Sequence, residues 1–244
     1  MGHYVVEGDI ALAGIVEQAS SFEYPDNLAD LVYVSPLIPE GGVVIDAGAC
    51  IGDQTAIYSQ MVGATGHVYA FEPHPASFKA LHKNTARLNN VTIYPFGLSD
   101  HVDTSPLKLA PNVGACYLEC APGCVDEYAG QFESITVSLQ PLDQVLPGLD
   151  RCDFIHLDAE GAEPAILRGA TTLIERFRPS LMVEVTDRWL KRYGSSEAAL
   201  IAQLRAWGYQ LQSRKAPGDQ YDVVASRQIL DTLQLVSHTQ GASA

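Results

Sequence analysis

Positive charge is scarce in this sequence and absent from its first third. No lysine or arginine precedes Lys79, while the same stretch holds ten carboxylates, from Glu7 to Glu72. It therefore supplies −10 of a formal net charge of −14. A surface so short of cations repels phosphate backbones and anionic headgroups, which argues against nucleic acid or a membrane as partner. Long apolar runs are also missing: none approaches the roughly 18–20 residues needed to span hydrocarbon. No basic segment precedes an apolar one at the amino terminus, so no secretory signal is read. Cysteine is sparse and odd in number, five in 244 residues. That excludes a disulfide scaffold and fits reduced thiols in the cytoplasm. Apolar residues, in contrast, make up 47% of the chain, enough for the core of one large domain.

From residue 43 the pattern alternates strand, turn and helix. Apolar runs predict strands over Val43–Asp46, His67–Phe71, Val91–Phe96, Ser134–Leu139, Phe154–Leu157 and Leu181–Val185. Helical spacing predicts helices over Thr55–Met61, Ala76–Leu88, Glu163–Phe177 and Glu197–Trp207. Gln210–Ser213 and Val223–Ala225 suit a closing antiparallel pair around a turn at Pro217-Gly218-Asp219. Such alternation predicts an α/β fold, doubly wound, with ligands beyond the carboxyl ends of the strands. Residues 1–40 form an N-terminal extension with Tyr4, Phe22, Tyr24 and Tyr33, a candidate cover for the open end of the sheet. Residues 41–230 form the main domain, broken at 104–135 by an irregular insert rich in Pro, Gly and Cys. Residues 231–244 are a tail expected to fray.

The end of the first strand carries the first chemical signal. Asp46 is followed by Gly48, suited to a sharp turn, and Gly52, suited to close helix packing. A dinucleotide fingerprint needs Gly-x-Gly-x-x-Gly, but Cys50 and Asp53 occupy its second and third glycine positions. A pyrophosphate would also meet Asp46 and Asp53 and be repelled. A ligand bearing an ammonium and a sulfonium would be attracted, and S-adenosylmethionine has both. Glu72, 20 residues beyond Gly52 at the end of the second strand, can accept hydrogen bonds from both ribose hydroxyls. The plainer reading is that Asp46 caps its turn and Glu72 is a solvated strand end.

Four segments resemble the successive motifs of FkbM-type S-adenosylmethionine-dependent methyltransferases. They are Val44-Ile45-Asp46-Ala47-Gly48-Ala49-Cys50-Ile51-Gly52, Phe71-Glu72-Pro73-His74-Pro75, Gly97-Leu98-Ser99-Asp100 and Leu157-Asp158-Ala159-Glu160-Gly161-Ala162-Glu163. The resemblance spans about residues 41 to 187. It implies a class I methyltransferase fold, that is, a Rossmann-like, doubly wound, mostly parallel sheet of seven strands. It also implies O-methylation of a hydroxyl on a small sugar-like or natural-product acceptor. Cofactor contacts are implied at Asp46, Gly48, Gly52 and Glu72, with Leu98, Ser99 and Asp100 near adenine. Ala49, Thr55, Pro73 and His74 complete the candidate set. Cys50 stands where the family often has asparagine, and His156 where lysine is common.

Methyl transfer to a hydroxyl needs alignment and a base. Asp158, Glu160, Glu184 and His156 are the candidate bases, with Asp158 foremost. His156 and Asp158, two apart on a strand, face the same side. Asp158, Glu160 and Glu184 are also a candidate Mg²⁺ ligand set. Against these stand plainer roles: helix capping for Glu160 and Glu163, and a hydrogen-bonded core position for His156. Cys116, Cys120 and Cys124 lack the Cys-x-x-Cys spacing of a zinc pair, so small buried residues are the first reading. Trp189 and Tyr193, with Arg188, Lys191 and Arg192, read first as a core tryptophan on a solvated helix face and second as lining for the acceptor.

The expected activity is therefore an S-adenosylmethionine-dependent O-methyltransferase. A nucleotide-linked oxidoreductase on a similar sheet, or a non-catalytic binding module, are the alternatives. The expected partner is a small molecule, with the amino-terminal acids favouring a neutral or cationic one and the arginine-bearing second half leaving room for the opposite. A homo-oligomer stays open.

Overall fold

A computed structural model describes residues 31, 33–110, 113–215 and 220–227. The strands are β1 (Val43–Ala47), β2 (His67–Phe71), β3 (Val91–Tyr94), β4 (Gly97–Leu98), β5 (Asp103–Lys108), β6 (Tyr117–Leu118), β7 (Ser134–Gln140), β8 (Phe154–Leu157), β9 (Ser180–Thr186), β10 (Gln210–Lys215) and β11 (Gln220–Ser226). The helices are α1 (Asp53–Val62), α2 (Pro75–Thr85), α3 (Leu142–Val145), α4 (Glu163–Gly169), α5 (Thr171–Phe177), α6 (Asp187–Arg192) and α7 (Glu197–Ala206).

The main sheet has seven strands in the order β10-β11-β9-β8-β1-β2-β3, with β11 antiparallel to both its neighbours and the remaining pairs parallel. The order reverses between β1 and β8, so the crevice beyond their carboxyl ends is the switch point where such sheets bind ligands. Both faces are covered, which is why β8 and β9 read as nearly unbroken apolar runs. Ile45, Ile155 and Val183 point to one face and pack with Ile166, Leu167, Leu200 and Leu204. Val44, Phe154 and Met182 point to the other and pack with Ile57, Tyr58 and Val62 of α1.

Leu31, Val34 and Ile38 join that second layer, so this part of the extension packs on a sheet face. The rest of the proposed cover, residues 1–30, lies outside the described residues, as do the turn at 217–219 and the tail. No helix among the described residues is long and apolar enough to cross a membrane.

Three expectations are corrected. The third strand ends at Tyr94, and Phe96 turns back to pack on the rings of Phe71 and Tyr94. The helix expected over Glu163–Phe177 breaks at Ala170, because the Asp143 carboxylate accepts the Thr172 and Leu173 N–H groups at 2.8 and 2.9 Å and caps a new helix start. The insert is not irregular throughout: β5 pairs with β7 over six residues, giving a second sheet in the order β4-β7-β5-β6. Pro106 and the polar residues around it conceal that strand from a reading of apolar alternation.

Candidate active site

Asp46 on β1 and His156 on β8 are register partners, so their side chains lie together on the α1 face. Asp46 Oδ1 is 3.0 Å from His156 Nδ1, and Asp46 Oδ2 accepts the Thr55 hydroxyl at 2.5 Å. Burial would lower the pKa of His156, but the hydrogen bond and charge of Asp46 outweigh it and raise it. This buried network ties the start of α1 to β1 and β8, and none of its three residues is among those lining the cavity at the switch point.

Gly48 makes the turn that follows. Its φ is +89°, and a Cβ there would stand 1.8 Å from the Asp158 carbonyl oxygen, so only glycine lets this turn meet the end of β8. Its N–H and that of Ala49 both donate to the Phe71 carbonyl at 3.0 Å, tying the turn to β2. Ala49 packs inward on Ala70 and Leu81, and Gly52 lies against Leu81 of α2.

Glu72, just beyond β2, accepts the backbone N–H groups of Cys50 at 2.8 Å and His74 at 2.7 Å. Burial pushes its carboxyl up to about 7, against those two bonds and with help from the charges of Asp46 and Asp158. The His74 ring turns to Ser77, 2.8 Å away. Ser99 is held by its N–H on the Gln140 carbonyl.

Of the expected cofactor residues, Gly48, Glu72, Pro73 and Leu98 line one cavity, joined by Asp158 and Glu160. Sequence reasoning missed Cys50, Phe71 and Gly97, which share motifs already singled out, and Leu107, Gly114, Cys116 and Leu118. These last four come from the insert, where no apolar period marks them. The second sheet thus covers the cavity. Its free volume is about 70 Å³, below the roughly 300–1,000 Å³ of small-molecule sites.

Asp158, half-buried at the end of β8, is hydrogen-bonded to Glu184 of β9, and burial raises both carboxyls. Glu184 also accepts the Gln220 amide and lies 3.4 Å from the Thr186 hydroxyl. Glu160 sits at φ 53°. Burial, then the charges of Asp158 and Glu163, push it up to about 8, while Arg192 and Arg188 oppose the rise. Glu163 accepts the Ala159 and Gly161 N–H groups at 2.9 and 3.2 Å, so it clasps this turn.

The structure gives the Mg²⁺ expectation no support. Among the described residues no three His, Cys, Asp or Glu side chains are grouped to hold a metal ion. Asp158 and Glu184 are tied to each other rather than aimed at a common point with Glu160. The cysteines of the insert form no such group either, and their thiols are free.

A model of the methyltransferase FkbM domain matches residues 46–211. The chain belongs to the FkbM methyltransferase family. This FkbM-family methyltransferase is 28% identical over 194 residues to the methyltransferase sdnD of Sordaria araneosa, covering 68% of the chain and 74% of that protein. It is similar to the crystal structure of methyltransferase FkbM from Methylobacillus flagellatus, with TM-score 0.51 and 17% identity over 76% of the chain. The chain spans only 44% of that longer protein. A proposed methyltransferase from Streptococcus mutans, crystallised with SAH, gives TM-score 0.50 and 11% identity over 84% of the chain and 98% of its own length. The fold is that of the class I S-adenosylmethionine-dependent methyltransferases.

Proposed function

We propose that this methyltransferase O-methylates a hydroxyl on a small sugar-like or natural-product acceptor, with S-adenosylmethionine as donor. The observation that carries the cofactor reading is the cavity at the switch point. Gly48, Glu72 and Leu98 meet there, and among the described residues that line it none is lysine or arginine. Such a donor set suits a cationic ligand and offers a pyrophosphate no counter-charge. Glu72 would hold the ribose, Leu98 and Pro73 would pack on the adenine, and the acids at the end of β8 would face the cationic end. When bound, this cofactor supplies an electrophilic methyl group on sulfonium.

The chain's own residues then prepare the acceptor. Glu184, its carboxyl raised by burial, donates to Asp158. Against the burial that raises Asp158, the His156 charge and that hydrogen bond favour its ionised form, which suits it to take the hydroxyl proton. Glu160 is the second carboxyl within the cavity. The acceptor class rests on the resemblance of the four motifs to FkbM-type enzymes. The proposed acceptor is a small molecule, and the charge of −14 supports neither nucleic acid nor a membrane as partner.

Differential scanning fluorimetry tests the reading. S-adenosylhomocysteine should raise the Tm, and Glu72→Gln should remove most of that rise. Labelled cofactor incubated with a pool of hydroxylated small molecules should give a product shifted by one methyl in mass spectrometry. No Tm rise with either cofactor form, or a rise with NAD alone, would overturn it.

A further inference from the structure

Across the β8–α4 turn from the cofactor cavity lies a second and larger one, of about 840 Å³. Residues of α6 line it together with Gly123, Cys124 and Glu127 of the insert and Tyr221 of β11. The two cavities share no lining residue, and the turn between β8 and α4 packs on the helix that lines the second one. A Cβ on Gly161 would stand 2.6 Å from the backbone of Trp189, so α6 packs directly on the turn that carries Asp158 and Glu160. Glu160 lines the first cavity and feels the charges of Arg188 and Arg192 from the second.

Arg192 is the unusual residue of this wall. It is only 2% exposed, although its neighbours Arg188 and Lys191 are exposed. Its guanidinium carbon is 3.7 Å from the ring centre of Trp189, 4.2 Å from that of Tyr117 and 5.2 Å from that of Tyr128. These rings hold the flat cation but accept little from its N–H edge. Both terminal nitrogens are buried and find no hydrogen-bond partner among the described residues. Two acids of this wall are engaged elsewhere: Asp187 takes Lys191 at 2.5 Å and the Glu197 N–H at 2.9 Å, and Glu197 takes the Tyr221 hydroxyl at 2.5 Å, while Glu127 lines the cavity and Glu160 acts on Arg192 only through its charge. A buried guanidinium with unused donors is an expensive arrangement that a protein ordinarily satisfies with an anion.

We propose that Arg192 is the anchor for an oxyanion, a carboxylate or a phosphate, carried by the methyl acceptor. The inference rests on the methyltransferase reading and adds the acceptor's charge. It departs from the neutral or cationic acceptor that the acidic amino-terminal stretch favours, because this cavity lies in the later part of the chain, which holds all of the lysines and arginines. The aromatic rings orient the planar fork, and its two free N–H edges match two oxygens of one anion. The rest of the acceptor fills the cavity on the side of the turn that carries Glu160, whose carboxyl feels the charges of Arg192 and Arg188.

The test uses the full chain with saturating S-adenosylhomocysteine. Sodium phosphate and sodium malonate are titrated separately by scanning fluorimetry, with KCl at matched ionic strength as reference. The expected result is a saturable Tm rise from at least one oxyanion that KCl does not give. Arg192→Leu should abolish it while keeping the rise caused by S-adenosylhomocysteine. A rise from phosphate alone points to a phosphorylated acceptor, and one from malonate alone to a carboxylated acceptor. Arg192→Lys, which keeps the charge and loses the fork, should weaken the oxyanion by about tenfold, and it decides the matter if the leucine variant does not fold. An oxyanion response no greater than KCl, or one unchanged in both variants, overturns the proposal. Failure of S-adenosylhomocysteine itself to raise the Tm would instead overturn the cofactor reading.

Discussion

Asp46 and His156 face each other across two adjacent parallel strands, both almost wholly out of water. Removing one partner leaves the other charge buried and uncompensated, which is costlier than the net worth of the pair. His156→Leu should therefore lower the unfolding free energy by about 3–5 kcal/mol, measured by urea denaturation. Asp158 belongs to a different class of residue. It reaches the cavity and takes a hydrogen bond from Glu184. Asp158→Asn should reduce kcat by about a hundredfold or more, the scale of general-base catalysis, while the dissociation constant of S-adenosylhomocysteine changes little. Steady-state kinetics beside calorimetric titration would read the split; equal losses would make Asp158 a cofactor ligand. The sequence placed both residues at strand ends by their spacing. It did not show that His156 and Thr55 hold Asp46 while Asp158 lines the cavity, because that depends on which face each side chain takes after pairing.

The insert is the element that changes most between sequence and structure. Its strands β5 and β6 pair with β7, and they bring Leu107, Cys116 and Leu118 over the cofactor cavity. A cover lying over the cavity gains contacts once a ligand is in place. Hydrogen exchange should therefore show the amides of β5 and β6 better protected with S-adenosylhomocysteine bound, while those of β8 and β9, already in the centre of the sheet, change little. The central βαβ elements were legible because each is a local apolar run of the correct length. The second sheet was not, because its pairing joins segments about 30 residues apart through polar strands, and antiparallel registry of that kind leaves no local period.

For the whole molecule, the governing feature is crowded negative charge. Glu72 and Glu163 are pushed up to about 7 and Glu160 to about 8, burial being the largest cause in each. A carboxyl with a raised folded pKa contributes stability that is complete below its unfolded value near 4.5 and is lost as pH rises through the folded value. The unliganded protein should thus lose stability progressively from about pH 4.5 to about pH 8 and level off above that, with its Tm falling by about 5 °C or more. Saturating S-adenosylmethionine should reduce that fall, since a cation beside the ionised acids stabilises the deprotonated form. Thermal scans across pH, with and without cofactor, would check both the sign and the rescue.

The sequence by itself determined the alternation of strands and helices, the glycine turn after Asp46, the acid after β2 and the acid cluster after β8. Each of these is a matter of spacing within a few residues, where backbone sterics and the strand period act directly. Only the tertiary structure decided that Asp46 pairs with His156, that Asp158 pairs with Glu184, that the insert roofs the cofactor cavity and that Arg192 is buried among three rings. Those outcomes depend on contacts between residues far apart in the chain. Burial, charge and hydrogen-bond supply at such contacts are set by the packing of all the elements together, and no local window of the sequence contains them.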